Sequence, residues 1–178
     1  MDRIAGRFTR VEPRRRTRRL VLGLRAAADL TEVTKAEADA ITSALDAQEK
    51  SDLDAAYGVV ERGRRPREYA PALARLERDQ RTRAKRRHLD VIDRGLMDLV
   101  TVYRDAIALA TGAGGALVNE EIRADVERLA LASPPEHNLR RVVAIFDARE
   151  QLLEFNVTPP LALESMMLAL RLPEASGR

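Results

Sequence analysis

Apolar residues recur at three- and four-residue steps along most of the chain, which is the spacing of amphipathic helices. The longest such run spans about residues 67–110. Between Glu77 and His88 this run becomes polar on almost every side, as is typical of a helix that projects into solvent. We therefore predict helices over about 34–56 and 68–88 that form a projecting antiparallel hairpin, with the second helix continuing into a core.

Local signals predict where the helices begin and end. Thr34 and Glu37 fit a capping box, so the first hairpin helix is expected to begin near Thr34. Gly112 should stop the long helix, because glycine readily adopts the left-handed conformation at a helix end. Side-chain caps are expected before the later helices at Asn119, Ser133 and Thr158. The first hairpin helix should bury the face that carries Val33, Ala40, Ile41, Ala44, Leu45 and Leu53.

The C-terminal third contains the most apolar helices. One stripe is formed by Leu139, Val142, Val143, Ile145, Phe146, Leu152 and Leu153. The last helix is apolar on nearly all sides, so it should be central or packed against a partner as well as its own core. The pattern as a whole predicts an all-α bundle of five to six helices with the long hairpin projecting from it.

Composition supports a helical protein and excludes several chemistries. The 178 residues are 45% apolar and 33% charged but only 3% aromatic, which argues against both disorder and a β-sandwich. The absence of cysteine excludes disulfides, thiolate zinc sites and cysteine nucleophiles. No segment approaches the roughly 18 apolar residues of a membrane span, and no apolar signal-peptide core begins the chain. A cytoplasmic protein without membrane contact is expected.

No catalytic pattern is found in the sequence. It contains no GxxxxGK[ST], GxGxxG, HExxH or GxSxG motif. Asp90, Asp93 and Asp98 could hold a divalent cation, but ion pairs with neighbouring arginines are the favoured interpretation. His88 and His137 are expected to be surface residues. We expect no enzyme activity, cofactor, metal or small-molecule substrate.

The net charge of +3 is an average over blocks of opposite sign. Residues 1–19 hold eight arginines and two acids, and residues 61–88 hold eleven basic residues and four acids. Residues 20–60 and 89–178 are acidic. In the hairpin the acidic block would lie against the basic one. Alternatively, basic residues could contact nucleic acid or an acidic partner; the candidates are Arg14, Arg15, Arg16, Arg18, Arg19, Arg83, Lys85, Arg86 and Arg87.

Several segments, in order along the chain, resemble the clamp-loader δ′ subunit of bacterial DNA polymerase III. The segment from Asn156 to Leu170, NVTPPLALESMMLAL, is similar to the terminal segment of that family. The helix from Leu89 to Asp105, which ends in VYRD, resembles the family's helix before its Y/W-x-RD pattern. ATGA from residue 110 and LVNE from residue 117 continue the likeness, and residues 14–24 resemble the end of the family's lid domain.

The resemblance implies a fold and a role in DNA replication. It implies a basic lid-like arm over residues 1–30 and a helical collar domain over residues 31–178. Collar domains of δ, three τ/γ subunits and δ′ form a ring, which holds the AAA+ modules that load the sliding clamp onto primed DNA. The ATP-site and zinc roles of the family's N-terminal module are not expected here, since neither that module nor any cysteine is present.

The expected role is therefore non-catalytic oligomerisation with δ and τ/γ, and indirect association with the clamp and primed DNA. The expected subunit contact lies on and before the last helix, at Asn156, Leu161, Leu163, Glu164, Met166, Met167 and Leu170. Core packing alone is an equally weighted interpretation of these residues. The rival function is a helical adaptor or nucleic-acid-binding module that uses the arginine-rich segments.

Overall fold

A computed structural model describes residues 13–59 and 66–171, with side chains described from residue 23 onward within these ranges. The elements are α1 (Pro13–Ala56), α2 (Tyr69–Thr111), a 3₁₀ turn (Glu120–Ile122), α3 (Arg123–Ala132), α4 (Pro135–Leu153) and α5 (Pro159–Arg171). No strand occurs in the described part of the chain. The predicted all-α bundle of five to six helices is confirmed.

Helix α1 is continuous over 44 residues, so the predicted helix start at Thr34 is wrong. The Thr34 hydroxyl lies in the middle of α1 and donates a hydrogen bond to the Leu30 carbonyl at 2.8 Å. Residues that favour helix precede Thr34, and nothing there stops the helix, so a capping motif does not act as a cap. The helix also passes without a break through residue 30, where the resemblance placed the end of the arm. Ala27 already lies fully buried in the bundle.

The predicted inward face of α1 is also wrong for most of its residues. Val33 is 63% exposed, and Ile41 and Leu45 are each 50% exposed. The buried positions of α1 are instead small, namely Ala27, Thr34, Ala38 and Thr42. Small side chains let neighbouring helices approach closely, and this close approach leaves the larger apolar residues on the flank of α1.

The predicted antiparallel hairpin is confirmed by contacts between α1 and α2. Near its tip, the Tyr69 hydroxyl donates to Asp54 Oδ1 at 2.6 Å. Near its base, Thr34 Oγ1 lies 3.2 Å from His88 Nε2. Between these contacts the acidic and basic blocks meet as predicted, because Arg83 donates to Asp46 Oδ1 at 2.6 Å and to both carboxylate oxygens of Glu49.

The hydrophobic core lies beyond the base of the hairpin, where α2, α4 and α5 meet the first half of α1. Its buried members are Ala27, Ile92, Leu96, Ile145, Ala148, Leu152, Ala162, Leu163, Met166 and Leu170. Helix α5 contacts both α1 and α4. The apolar character of the last helix is therefore explained by a central position, one of the two alternatives that the sequence allowed.

The ends of the helices follow the predictions in part. Gly112 ends α2 in the left-handed conformation, with φ of 66°, as expected. Asn119 and Ser133 do not provide the predicted side-chain caps. The Asn119 amide instead donates to Asp105 Oδ2 at 2.8 Å, and Ser133 Oγ accepts from Arg141 Nη1 at 3.1 Å. Helix α5 begins directly after Thr158, as predicted. Longer-range partners won at Asn119 and Ser133 because each side chain faces another helix.

The close approach of α1 to α5 gives a first testable prediction. A Cβ at Gly23 would lie 3.3 Å from Leu168 Cδ2 and 3.5 Å from the Met167 carbonyl oxygen. We expect Gly23→Leu to destabilise the fold by about 2 kcal/mol, since overpacking forces the two helices apart. Urea denaturation followed by circular dichroism measures the change.

Gly95 in α2 provides the control, because a Cβ there meets nothing within 4 Å. Gly95→Ala should stabilise the protein by about 0.5–1 kcal/mol through helix propensity. Equal destabilisation by both substitutions would contradict the role given to Gly23.

Candidate subunit interface

The predicted interface residues of α5 mostly face the chain's own core. Leu163 is fully buried, Met166 is 2% exposed and Leu170 is 9% exposed. Met167 is partly buried and packs against the same core. These four side chains are enclosed because α1 and α4 cover α5 from two sides, so they are not available on the surface of the folded chain.

The remaining predicted residues lie at the start of α5 and in the turn before it. Leu161 is 60% exposed, Glu164 is half-buried and Asn156 is exposed. Asn156 has a φ of 53°, which asparagine tolerates better than most residues, and it makes the turn from α4 to α5. Of the apolar residues predicted on α5, Leu161 presents most of its surface to solvent.

Helix α4 carries a row of exposed apolar side chains that the sequence did not separate from its core face. Leu139, Val143, Phe146 and Leu153 are 57%, 51%, 43% and 44% exposed. Their spacing of four, three and seven residues places them along one side of the helix. We call these four residues the outer row of α4. Ile145, Ala148 and Leu152 occupy the inner face. The one signal in the sequence was an apolar stripe wider than a single buried face requires.

Polar contacts fix α4 against its neighbours. Arg149 forms an ion pair with Asp93 of α2, in which Nη2 lies 3.3 Å from Oδ2. At the other end of α4, Arg141 donates to Asn138 Oδ1 at 2.6 Å and to the Leu170 carbonyl at 3.3 Å. The Arg141 guanidinium also lies 5.7 Å from the centre of the Tyr103 ring. These contacts set the orientation of α4 and so keep the outer row facing solvent.

A buried carboxylate holds the loop that follows α2. Asp105 is fully buried, and its Oδ2 accepts hydrogen bonds from both the backbone and the side-chain N–H groups of Asn119 at 2.8 Å. Burial by itself would raise the pKa of Asp105. The hydrogen bonds from Asn119 and Val118 and the charge of Arg104 outweigh that effect, so the pKa lies below its ordinary value. This arrangement sets where α3 begins relative to α2.

The predicted nucleic-acid contacts divide into three groups. Arg14, Arg15, Arg16, Arg18 and Arg19 lie outside the described side chains. Arg83 is turned toward α1 and is engaged by Asp46 and Glu49, so it is not available to a ligand. Lys85 and Arg86 are exposed, and Arg87 lies 3.9 Å from Asp90.

No cluster of metal-binding residues occurs among the side chains that the structure describes. Asp93 pairs with Arg149 of α4 rather than with an arginine of its own helix, while Asp90 pairs with Arg87 as expected. His137 is exposed as predicted. His88 is half-buried against α1, and burial lowers its pKa. Among the helices of the described residues, none is long and apolar enough to span a membrane.

Comparison with known proteins relates the bundle to DNA replication. Residues 93–171 match the family model described as DNA polymerase III, delta subunit, C terminal. This region holds α3, α4, α5 and the second half of α2, so it is similar to the C-terminal domain of a clamp-loader subunit. No curated protein and no solved structure matches the chain.

The buried carboxylate leads to a second prediction. Asp105→Ala should destabilise the protein by about 2–3 kcal/mol, because it leaves the N–H groups of Asn119 without their charged acceptor. Asp98→Ala, in an exposed position of the same helix, should change stability by no more than about 0.5 kcal/mol. Chemical denaturation at pH 7 compares the two variants.

The same pair of variants tests the lowered pKa of Asp105. Its stabilising effect should be complete at neutral pH and should fade as the pH drops below about 4, where the carboxylate is protonated in the unfolded chain and then in the folded one. The stability gap between wild type and Asp105→Ala should narrow over that range. A gap that stays constant down to pH 2 would contradict this assignment.

Proposed function

We propose that the chain is a non-catalytic oligomerisation domain, the collar domain of a δ′-type clamp-loader subunit. The match of residues 93–171 to a clamp-loader family and the all-α bundle support this proposal. Its partners would be the C-terminal domains of δ and τ/γ subunits, and its association with the sliding clamp and primed DNA would be indirect. It would act in the cytoplasm, without an ATPase site, cofactor or small-molecule substrate of its own.

The outer row of α4 is the observation that carries the proposal of a subunit contact. Four large apolar side chains, each about half exposed, lie along one side of a helix that is fixed in place. A spacing of alternating three and four residues suits packing against a second helix. Covering the four half-exposed side chains would contribute roughly 3–6 kcal/mol before the costs of association.

Helix α5 has a smaller part in this proposal than the sequence suggested. Leu163, Met166 and Leu170 stabilise the fold by filling the core. Leu161 is exposed and extends the apolar surface at the start of α5, where Asn156 and Glu164 form and flank the turn. The contact surface would thus combine the outer row of α4 with Leu161.

Co-purification of the full chain with the C-terminal domains of δ and τ/γ tests the proposal. We expect association at micromolar concentration and a loss of at least about tenfold in affinity for the double variant Leu139→Glu, Val143→Glu, because two charges would be buried in the contact. Both positions are exposed in the free chain, so its stability should change little.

The matched control is Val33→Glu, Ile41→Glu, which introduces the same charges at comparably exposed apolar positions of α1. This control should associate like wild type. Failure of the wild-type chain to bind any clamp-loader subunit would refute the proposed function. Equal loss in both double variants would refute the assignment of the contact to α4.

A further inference from the structure

The outer side of the hairpin carries a strip of basic residues that the proposed function does not use. It consists of Arg75, Arg78, Arg81, Lys85 and Arg86 of α2, all of which are exposed. None of the five forms an ion pair with a described carboxylate. The neighbouring half-buried positions Gln80 and Arg83 hold α2 to α1, so the strip faces away from α1. We call these five residues the basic strip.

We propose that the basic strip binds the phosphate backbone of double-stranded DNA. A continuous helix from Arg75 to Arg86 holds the five cations on one side over about 16 Å. Duplex DNA presents one phosphate charge per roughly 1.7 Å of its axis, so a strip of this length faces several phosphates at once. Arginine, which supplies four of the five residues, suits phosphate because its guanidinium donates two hydrogen bonds in a fixed geometry.

The surroundings of the strip favour nucleic acid over an acidic protein partner. Large apolar side chains are not exposed on α2 between Tyr69 and Leu96. Protein interfaces depend on such side chains at their centre, whereas contact with a phosphate backbone does not. The aromatic residue of this segment, Tyr69, is buried at the tip, so no surface for base stacking accompanies the charges. The strip should therefore bind duplex DNA without sequence preference.

The strip is separate from the proposed subunit contact. It lies on the first half of α2, which precedes the region matched to the clamp-loader family. The outer row lies on α4 and is apolar. Each surface rests on its own observations, and DNA binding by the strip can be tested without any clamp-loader partner.

Fluorescence anisotropy with a labelled 20-base-pair duplex and the full chain tests the inference. Binding should weaken with salt with a log–log slope of about −4, so that affinity falls on the order of 10²-fold between 50 and 200 mM salt. Replacing all five residues of the basic strip by Gln should lower the affinity at 50 mM salt by at least about tenfold and reduce the slope to near zero.

Three further measurements make the test specific. A matched variant, with Arg25, Lys35, Lys50, Arg94 and Arg128 replaced by Gln, removes the same charge from exposed positions elsewhere and should keep the slope. A variant in which the four arginines of the strip become Lys keeps the charges and should retain most of the binding. Circular dichroism shows whether each variant keeps its helices.

Several outcomes would overturn the inference. No binding of wild type at 50 mM salt would do so, as would equal loss in the strip variant and the matched variant, which would indicate attraction by net charge alone. Binding of polyglutamate as strong as that of the duplex, with the same dependence on the strip, would point to an acidic protein partner instead. Unfolding of the Gln variant together with loss of binding in the folded Lys variant would also refute phosphate contact through charge.

Discussion

The enclosure of α5 between helices from opposite ends of the sequence organises the whole bundle. Helix α5 is 13 residues long, and Ala162 and Leu163 on it are fully buried. A helix this short and apolar needs cover on more than one side. Helix α1 can supply that cover because Gly23 and Ala27 let its backbone come close to α5. Helix α4 supplies the rest through Ala148 and Leu152 and thereby turns its outer row toward solvent.

The hairpin depends on a different kind of interaction. Its two helices meet through small residues, such as Ala38 and Thr42, and through the ion pairs of Arg83. Hydrogen bonds from Arg83, and then from Gln80, lower the pKa of Glu49, so this contact is stabilising at neutral pH and is lost as the carboxylate is protonated in acid. Apolar burial anchors the base of the hairpin, whereas its outer half is held by polar contacts that leave the remaining basic residues free on the far side.

The chain thus presents two surfaces of unlike chemistry on one rigid frame. The apolar outer row belongs to the region that matches the clamp-loader family, and its chemistry suits another protein. The basic strip lies before that region, and its chemistry suits phosphate. Because α2 runs unbroken from the hairpin into the bundle, the two surfaces are held by a common helix.

The sequence by itself determined the fold class, the antiparallel hairpin and the end of α2 at Gly112. Each of these follows from local periodicity, charge blocks or a backbone conformation that one residue type favours. It did not determine that Val33 and Ile41 face solvent, that Leu163 and Met166 fill the chain's own core, or that Arg83 is engaged by acids of α1. Periodicity shows which residues share a side of a helix, but only the tertiary structure decides which side is covered. Here small residues permitted the closest packing, and the larger apolar side chains of α1 and α4 were left on the surface.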